Sequence, residues 1–456
     1  MLDSKYRGRR LGVAIREGSV RQARKEAGLS LAQVAAGKVS RTAILYIETG
    51  RTKPSMETLR LISRQTRFPI SYFLLDPEGG ARYSELPDEL IQLERLTAVR
   101  DFEAAIVLAT ELLTRQSSAD DAALLKFYLG QAYCRLVRPE EALPHLTAAH
   151  RHFERRGDEA MAVEALDWEA SALGLLEDPR ALPMTEQALE RCRALDPKPG
   201  LTEARILGHI ANLHVVGHSW AQAARYYESA AEAAGAVKDL LLAAKMHHGL
   251  GTTYQQLRQP IKAKAHFDKA LSLYAIESDP SATYRVENDL GCLFLDAGQL
   301  DSAEQHLFKA LAGSGHANLD RRGRGFILNN LGHVNLLRGD LGEARRYLAQ
   351  ALECGEATGE NLVRAQAHEL FGKLAEKEGD RRAADEEFGI AIGILETVGM
   401  PDRLRDLHID YATLLDARQD TEASVRHWRQ AAQLGKLEAA GLKSRAAAQG
   451  EVALSG

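Results

Sequence analysis

Two rows of polar residues run through the chain at a step of about 40 residues. Arg205, Lys245 and Arg285 form one; His248, Asn288 and Asn329 form the other, with Asn212 and His333 beside it. Guanidinium and ammonium groups hold carboxylates, and an amide both donates and accepts, which suits the N–H and C=O groups of an extended peptide. Without a partner the same rows are hydrated side chains of an exposed face. Catalysis has no comparable set: a Walker loop, HExxH, GxSxG and the Rossmann fingerprint are all missing, and "GSG" at Gly313 to Gly315 reads as a loop between repeats. His214 and His218, His247 and His248, and His145, His150 and His152 cluster without a matching acid or Cys set, so neither a metal site nor a cofactor is expected. Cys134, Cys192, Cys292 and Cys354 stand far apart with no CxxC, as reduced core thiols do. An enzyme therefore has no residues to carry it.

A second kind of chemistry lies in the charge. Residues 1–80 hold 15 Lys+Arg and 7 Asp+Glu, a balance of +8, while the remainder carries −13 of the total of −5. A basic head on an acidic body suits a polyanion, since Lys and Arg displace the counterions condensed on phosphates. No apolar run approaches the ~20 residues of a membrane span, and no apolar stretch follows the basic start at Lys5, Arg7, Arg9 and Arg10, so the cytoplasm is expected and a membrane is not.

The elements that position the basic residues are short helices. Ser19 is expected to cap a helix through Val20, Ala23 and Ala27 that stops at Gly28. Ser30 caps a second through Leu31, Val34 and Ala35, broken at Gly37-Lys38, and Ser40 a third with Ile44 and Ile47 inward, ending at Gly50. Pro54-Ser55 opens a fourth, and Phe68-Pro69 precedes the apolar cluster Ile70, Tyr72, Phe73 and Leu74, giving five helices. The stretch "VRQARKEAGLSLAQVAAGKVSRTAILYIETGRTKPSMETLRLIS" resembles the phage-repressor and Cro-like, or XRE-type, helix-turn-helix family from about Ser19 to Leu74. The resemblance implies that the helix after Ser40 enters the major groove of double-stranded DNA, with Arg41, Thr42 and Tyr46 at base edges and Ser40, Arg51 and Lys53 on phosphates. It also implies that Arg24 and Glu48 form an internal ion pair. Between Val34-Ala35 and Val39-Ser40 the chain is one residue shorter than the family spacing.

The body repeats. Ala211, Gly251, Gly291, Gly332, Gly372 and Ala412 follow at steps of 40, 40, 41, 40 and 40. Ala223, Ala263, Ala303, Ala344, Ala384 and Ser424 keep those steps, and so do Tyr227, Phe267, Leu307, Leu348, Phe388 and Trp428. Small residues permit close approach of two antiparallel helices, and the large residue is expected to fill the groove against the next hairpin. "LGTTY...AKAHFDKA" from Leu250 to Ala270 resembles the tetratricopeptide repeat, over about Leu90 to Leu434. The period near 40 is similar to that of bacterial peptide-receptor (RRNPP-type) regulators and of some signalling adaptors; in the former, asparagines of the concave face bind peptide. The first helix of each pair lines that face, which is where the two polar rows fall.

The expected fold is all-α: a five-helix unit over 1–75, a linker over 76–88, a right-handed α-solenoid of about nine helix pairs over 89–436 and a tail over 437–456. The expected function is a sequence-specific transcription regulator, homodimeric, whose repeats sense a signalling peptide or other ligand. The alternative is a scaffold that captures a partner protein, with the N-terminal unit as an accessory.

Overall fold

The structure, a computed structural model, describes residues 15–16, 18–66, 68, 70–73, 88–115, 118–277, 279–314 and 323–436. The basic start at residues 1–10, the linker over 76–88 except Asp88, and the tail over 437–456 lie outside these residues. The fold is all-α, in two compact units, 1–178 and 179–456.

Unit one opens with five helices: α1 Ser19–Glu26, α2 Leu31–Ala35, α3 Arg41–Glu48, α4 Met56–Thr66 and α5 Ile70–Phe73. Val20, Ala23, Val34, Ile44, Leu59, Ile62, Tyr72 and Phe73 make their common core, against which Ile91 of the following helix packs. Ser19 does not cap α1: Gly18 in the left-handed region does, and the Ser19 hydroxyl instead donates to the Arg16 carbonyl at 2.7 Å. Ser30 and Ser40 do cap, accepting from the amides of Gln33 and Ala43. The shortened turn between α2 and α3 is made by two consecutive left-handed residues, Ala36 at φ 46° and Gly37 at φ 69°, which reverse the chain in fewer residues at about 1–2 kcal/mol for the alanine.

Eighteen helices follow among the described residues, from Asp88–Ala98 to the helix over 421–436, and within each unit neighbouring helices pack as hairpins. The glycine column explains their closeness. A methyl group on Gly251 would stand 2.4 Å from Phe267, and Gly291, Gly332 and Gly372 meet Leu307, Leu348 and Phe388 at 2.6, 2.6 and 2.7 Å. The large residue thus rests on the glycine of its own pair and, as the sequence suggested, also packs against the next hairpin: Phe388 stacks on Tyr411 with ring centroids 4.4 Å apart, and Leu307 and Leu348 cluster with Leu328 and Leu370. Phe267 and Phe388 are fully buried there, worth about 2–3 kcal/mol each. Each pair also turns on one left-handed residue, among them Arg258, Gly298, Gly339, Gly379 and Gln419. Helix Leu300–Ser314 runs through Gly313, so that part of "GSG" is helix and not loop.

Candidate nucleic-acid interface and the first-helix face

One side of α3 faces the core through Ile44, Ile47 and Glu48. Glu48 takes both forks of Arg24, Nε to Oε1 at 2.6 Å and Nη2 to Oε2 at 3.2 Å, while Arg24 Nη1 reaches the Leu29 carbonyl at 3.1 Å. That hydrogen bond raises the guanidinium's pKa further, and the pair ties α1 to α3 as expected. The opposite side is polar and open. Arg41 and Thr42 are exposed and make no hydrogen bond or ion pair among the described residues. Ser40 is committed to its cap at 3.0 Å. The Arg51 guanidinium lies 5.7 Å from the centroid of the Tyr46 ring, and Lys53 is exposed. Sequence reasoning missed Gln33, an exposed residue of α2 whose Oε1 accepts from the Ser30 amide at 2.8 Å, leaving its Nε2 donor unused. The S-x-x-Q spacing of Ser30 and Gln33 was the available signal.

The first helices of the later pairs carry a different arrangement. His248 Nε2 meets Asp289 Oδ2 at 2.7 Å, and Gln255 donates to Asp296 at 3.0 Å. Asn330 donates to Asn288 Oδ1 and to Cys292 Sγ, both at 3.1 Å. Lys373 bridges Glu369 and Asp410 at 2.7 and 2.6 Å, and Arg418 bridges Glu376 and Asp385. Most of these contacts link one pair to the next, so the face is a seam of mutually satisfied polar groups.

The predicted ligand residues divide accordingly. The seam contains His248 and Asn288. His333 is half-buried among Lys373, Asp296, Asp410 and Lys377 and is pushed down to about 4, mainly by burial. Arg285 is exposed and unpaired among the described residues, whereas Arg205 and Lys245 are half-buried and each already engaged. Asn212 accepts from Tyr227 of its own pair. Asn329 does not lie on the open face: it is fully buried, its amide donating to the Val363 carbonyl at 2.9 Å because the next pair's first helix packs directly upon it. Asn330, one residue on, is buried as well, its amide donating back to Asn288 of the preceding pair. Asp289, Asn330 and Asp410, each two residues before the small-residue column, were the row that sequence reasoning passed over. Among the described residues no group of three or more His, Cys, Asp or Glu is placed to hold a metal, and no helix is long and apolar enough to cross a membrane.

The helix-turn-helix family profile matches residues 20–73, and the tetratricopeptide-repeat profile matches residues 242–314. No curated protein matches the chain. Among solved structures, a Rap protein complexed with competence and sporulation factor is 14% identical and superposes with a TM-score of 0.58 over 77% of this chain and 97% of its own. The apo form of RapI gives 12%, 0.59, 76% and 97%. The apo quorum sensor NprR from B. thuringiensis gives 14%, 0.52, 83% and 98%. At such identities the likeness is one of fold. The chain carries an XRE-type helix-turn-helix domain followed by tetratricopeptide repeats. Its structural neighbours include Rap proteins and a quorum sensor.

Proposed function

We propose that the chain is a DNA-binding transcription regulator, with residues 1–75 reading operator DNA and residues 89–436 sensing a peptide and holding a homodimer together. The carrying observation is the pair of unpaired polar residues Arg41 and Thr42 on the open side of a helix whose other side is locked into the core by Arg24–Glu48. A buried ion pair on one side and unpaired donors on the other is what a reading helix needs: rigidity behind, hydrogen-bonding capacity in front. A Rap protein bound to competence and sporulation factor and a quorum sensor share the fold, which supports a peptide as the sensed ligand. Asn288, held in place by Asn330, supplies an amide for its backbone, and Arg285, unpaired among the described residues, a cation for a carboxylate. Dimerisation follows from reach, since one recognition helix contacts few base pairs and two placed about 34 Å apart discriminate usefully.

Selection from a random duplex pool at low ionic strength tests this reading. Enrichment of palindromes with half-sites about 10 base pairs apart is expected; an unenriched pool overturns it. For the sensing half, Asn288→Ala combined with Asn330→Ala is expected to remove the thermal stabilisation given by short peptides while leaving duplex selection intact.

A further inference from the structure

Among the large apolar side chains described within 15–73, only two are openly exposed, Leu45 at 42% and Tyr46 at 38%, and they are consecutive on α3. A solitary exposed leucine is ordinary on any surface. Here, however, every other large aliphatic residue of α3 is inside, Ile44 at 0% and Ile47 at 5%, and Leu45 falls one turn after the unpaired Arg41 and Thr42. Thr49, one turn further on, has its hydroxyl turned back onto the Leu45 carbonyl at 2.9 Å. The centre of the open face is thus apolar, ringed by polar groups.

We infer that Leu45 determines specificity by packing against the C5-methyl group of a pyrimidine in the major groove, an inference that rests on the DNA-binding reading above. The C5-methyl of thymine is the one apolar feature a base pair presents in that groove, and aliphatic or aromatic side chains recognise it by contact. Four residues along a helix advance about 6 Å, and base pairs stack about 3.4 Å apart. If Arg41 forks onto a guanine, the methyl read by Leu45 lies about two base pairs away. Thymine is the source we assign; 5-methylcytosine presents the same group at the same place.

The test uses the full chain and a duplex that it has selected from a random pool, with each thymine replaced singly by deoxyuridine, which deletes only the methyl. One thymine per half-site is expected to cost the wild type about fourfold in affinity on replacement, the worth of one buried methyl group. Leu45→Ala is expected to bind the thymine and uracil duplexes equally, and Leu45→Met to keep the preference, all three proteins melting together because the position is exposed. Binding of a 5-methylcytosine·guanine pair at that position as strongly as thymine makes the methyl from either source sufficient, and binding no stronger than cytosine restricts it to thymine; either supports the contact. A wild type indifferent to every uracil, or Leu45→Ala retaining the penalty, overturns the inference and leaves DNA binding standing. A pool from which nothing is selected ends both.

Discussion

The open side of α3 and the first-helix face of the repeats are both polar, yet their groups are spent differently. Arg41 and Thr42 have no partners among the described residues, while His248 bonds to Asp289, Asn330 to Asn288, Lys373 to Asp410 and Arg418 to Asp385 across successive pairs. A surface that awaits a partner of fixed charge keeps its donors uncommitted, because any internal bond has to be broken on binding. A surface already satisfied gains from a ligand only by exchange, and exchange moves the elements that the old bonds held. The first arrangement favours recognition; the second favours response, since a ligand shifts an equilibrium only through bonds that differ between states.

The contrast sets an order of effects. Arg418 is the deepest cation of the seam, its side chain 6% exposed between two acids that keep some contact with water. Arg418→Ala is expected to lower the stability of the second unit by about 3 kcal/mol, at the lower end for a broken buried pair, seen as a lower urea midpoint. Arg41→Ala is expected to leave stability unchanged and to remove about 2 kcal/mol of cognate DNA affinity, with relaxed specificity at one base in a titration against selected and mutated duplexes. A drop in stability from Arg41→Ala of the size expected for Arg418→Ala would erase the distinction drawn here.

Acid tests the paired side alone. His247 faces His266 at 3.1 Å with Lys269 close by, and His408 faces His427 at 2.9 Å. Burial first, then these cationic or histidine neighbours, push His247 and His408 down to about 4. An unfolded histidine titrates near pH 6.5, so the folded forms stay neutral where the unfolded chain takes up protons. Their contribution is complete above about pH 6.5 and is lost as pH falls toward 4; about 1 kcal/mol per histidine is expected to be gone by pH 6. Urea titrations at pH 7.5 and 6 check this, and substituting His247 and His408 together by Asn should flatten the difference. Smallest is Lys53→Ala, expected to weaken all duplexes alike by under about 1 kcal/mol and to reduce the salt slope of binding by about one.

What could be read from the sequence follows from how strictly each position is constrained. The glycine column was visible because no Cβ fits at Gly251, Gly291, Gly332 or Gly372, so the residue type itself records the contact. The pair turns were invisible, since the left-handed residue there is glycine at 298, 339 and 379 but Arg258, His218, Val137 or Gln419 elsewhere, and the surrounding helices impose the conformation on whatever stands in it. In the helix-turn-helix the capping serines and the Arg24–Glu48 pair were legible because the chemistry is local or charged; Leu45 was not, because an exposed leucine and a buried one look alike until the helix is seated. Asn329 and Asn330 show the limit for a polar row: a one-residue difference on a helix is a rotation of 100°, and although both are buried, one bonds forward to Val363 and the other back to Asn288, a choice set by the crossing of the neighbouring helices and not by either residue.

Because Phe267, Leu307, Leu348 and Phe388 each lie on the glycine of their own hairpin, one steric lock of this array closes inside each such block of about forty residues. A genome that duplicates or drops one such block leaves these four locks whole and has to remake only the contacts at its joints, such as Gly249 on Tyr227 and Gly325 on Val363, so the array's length is freer to drift than its construction.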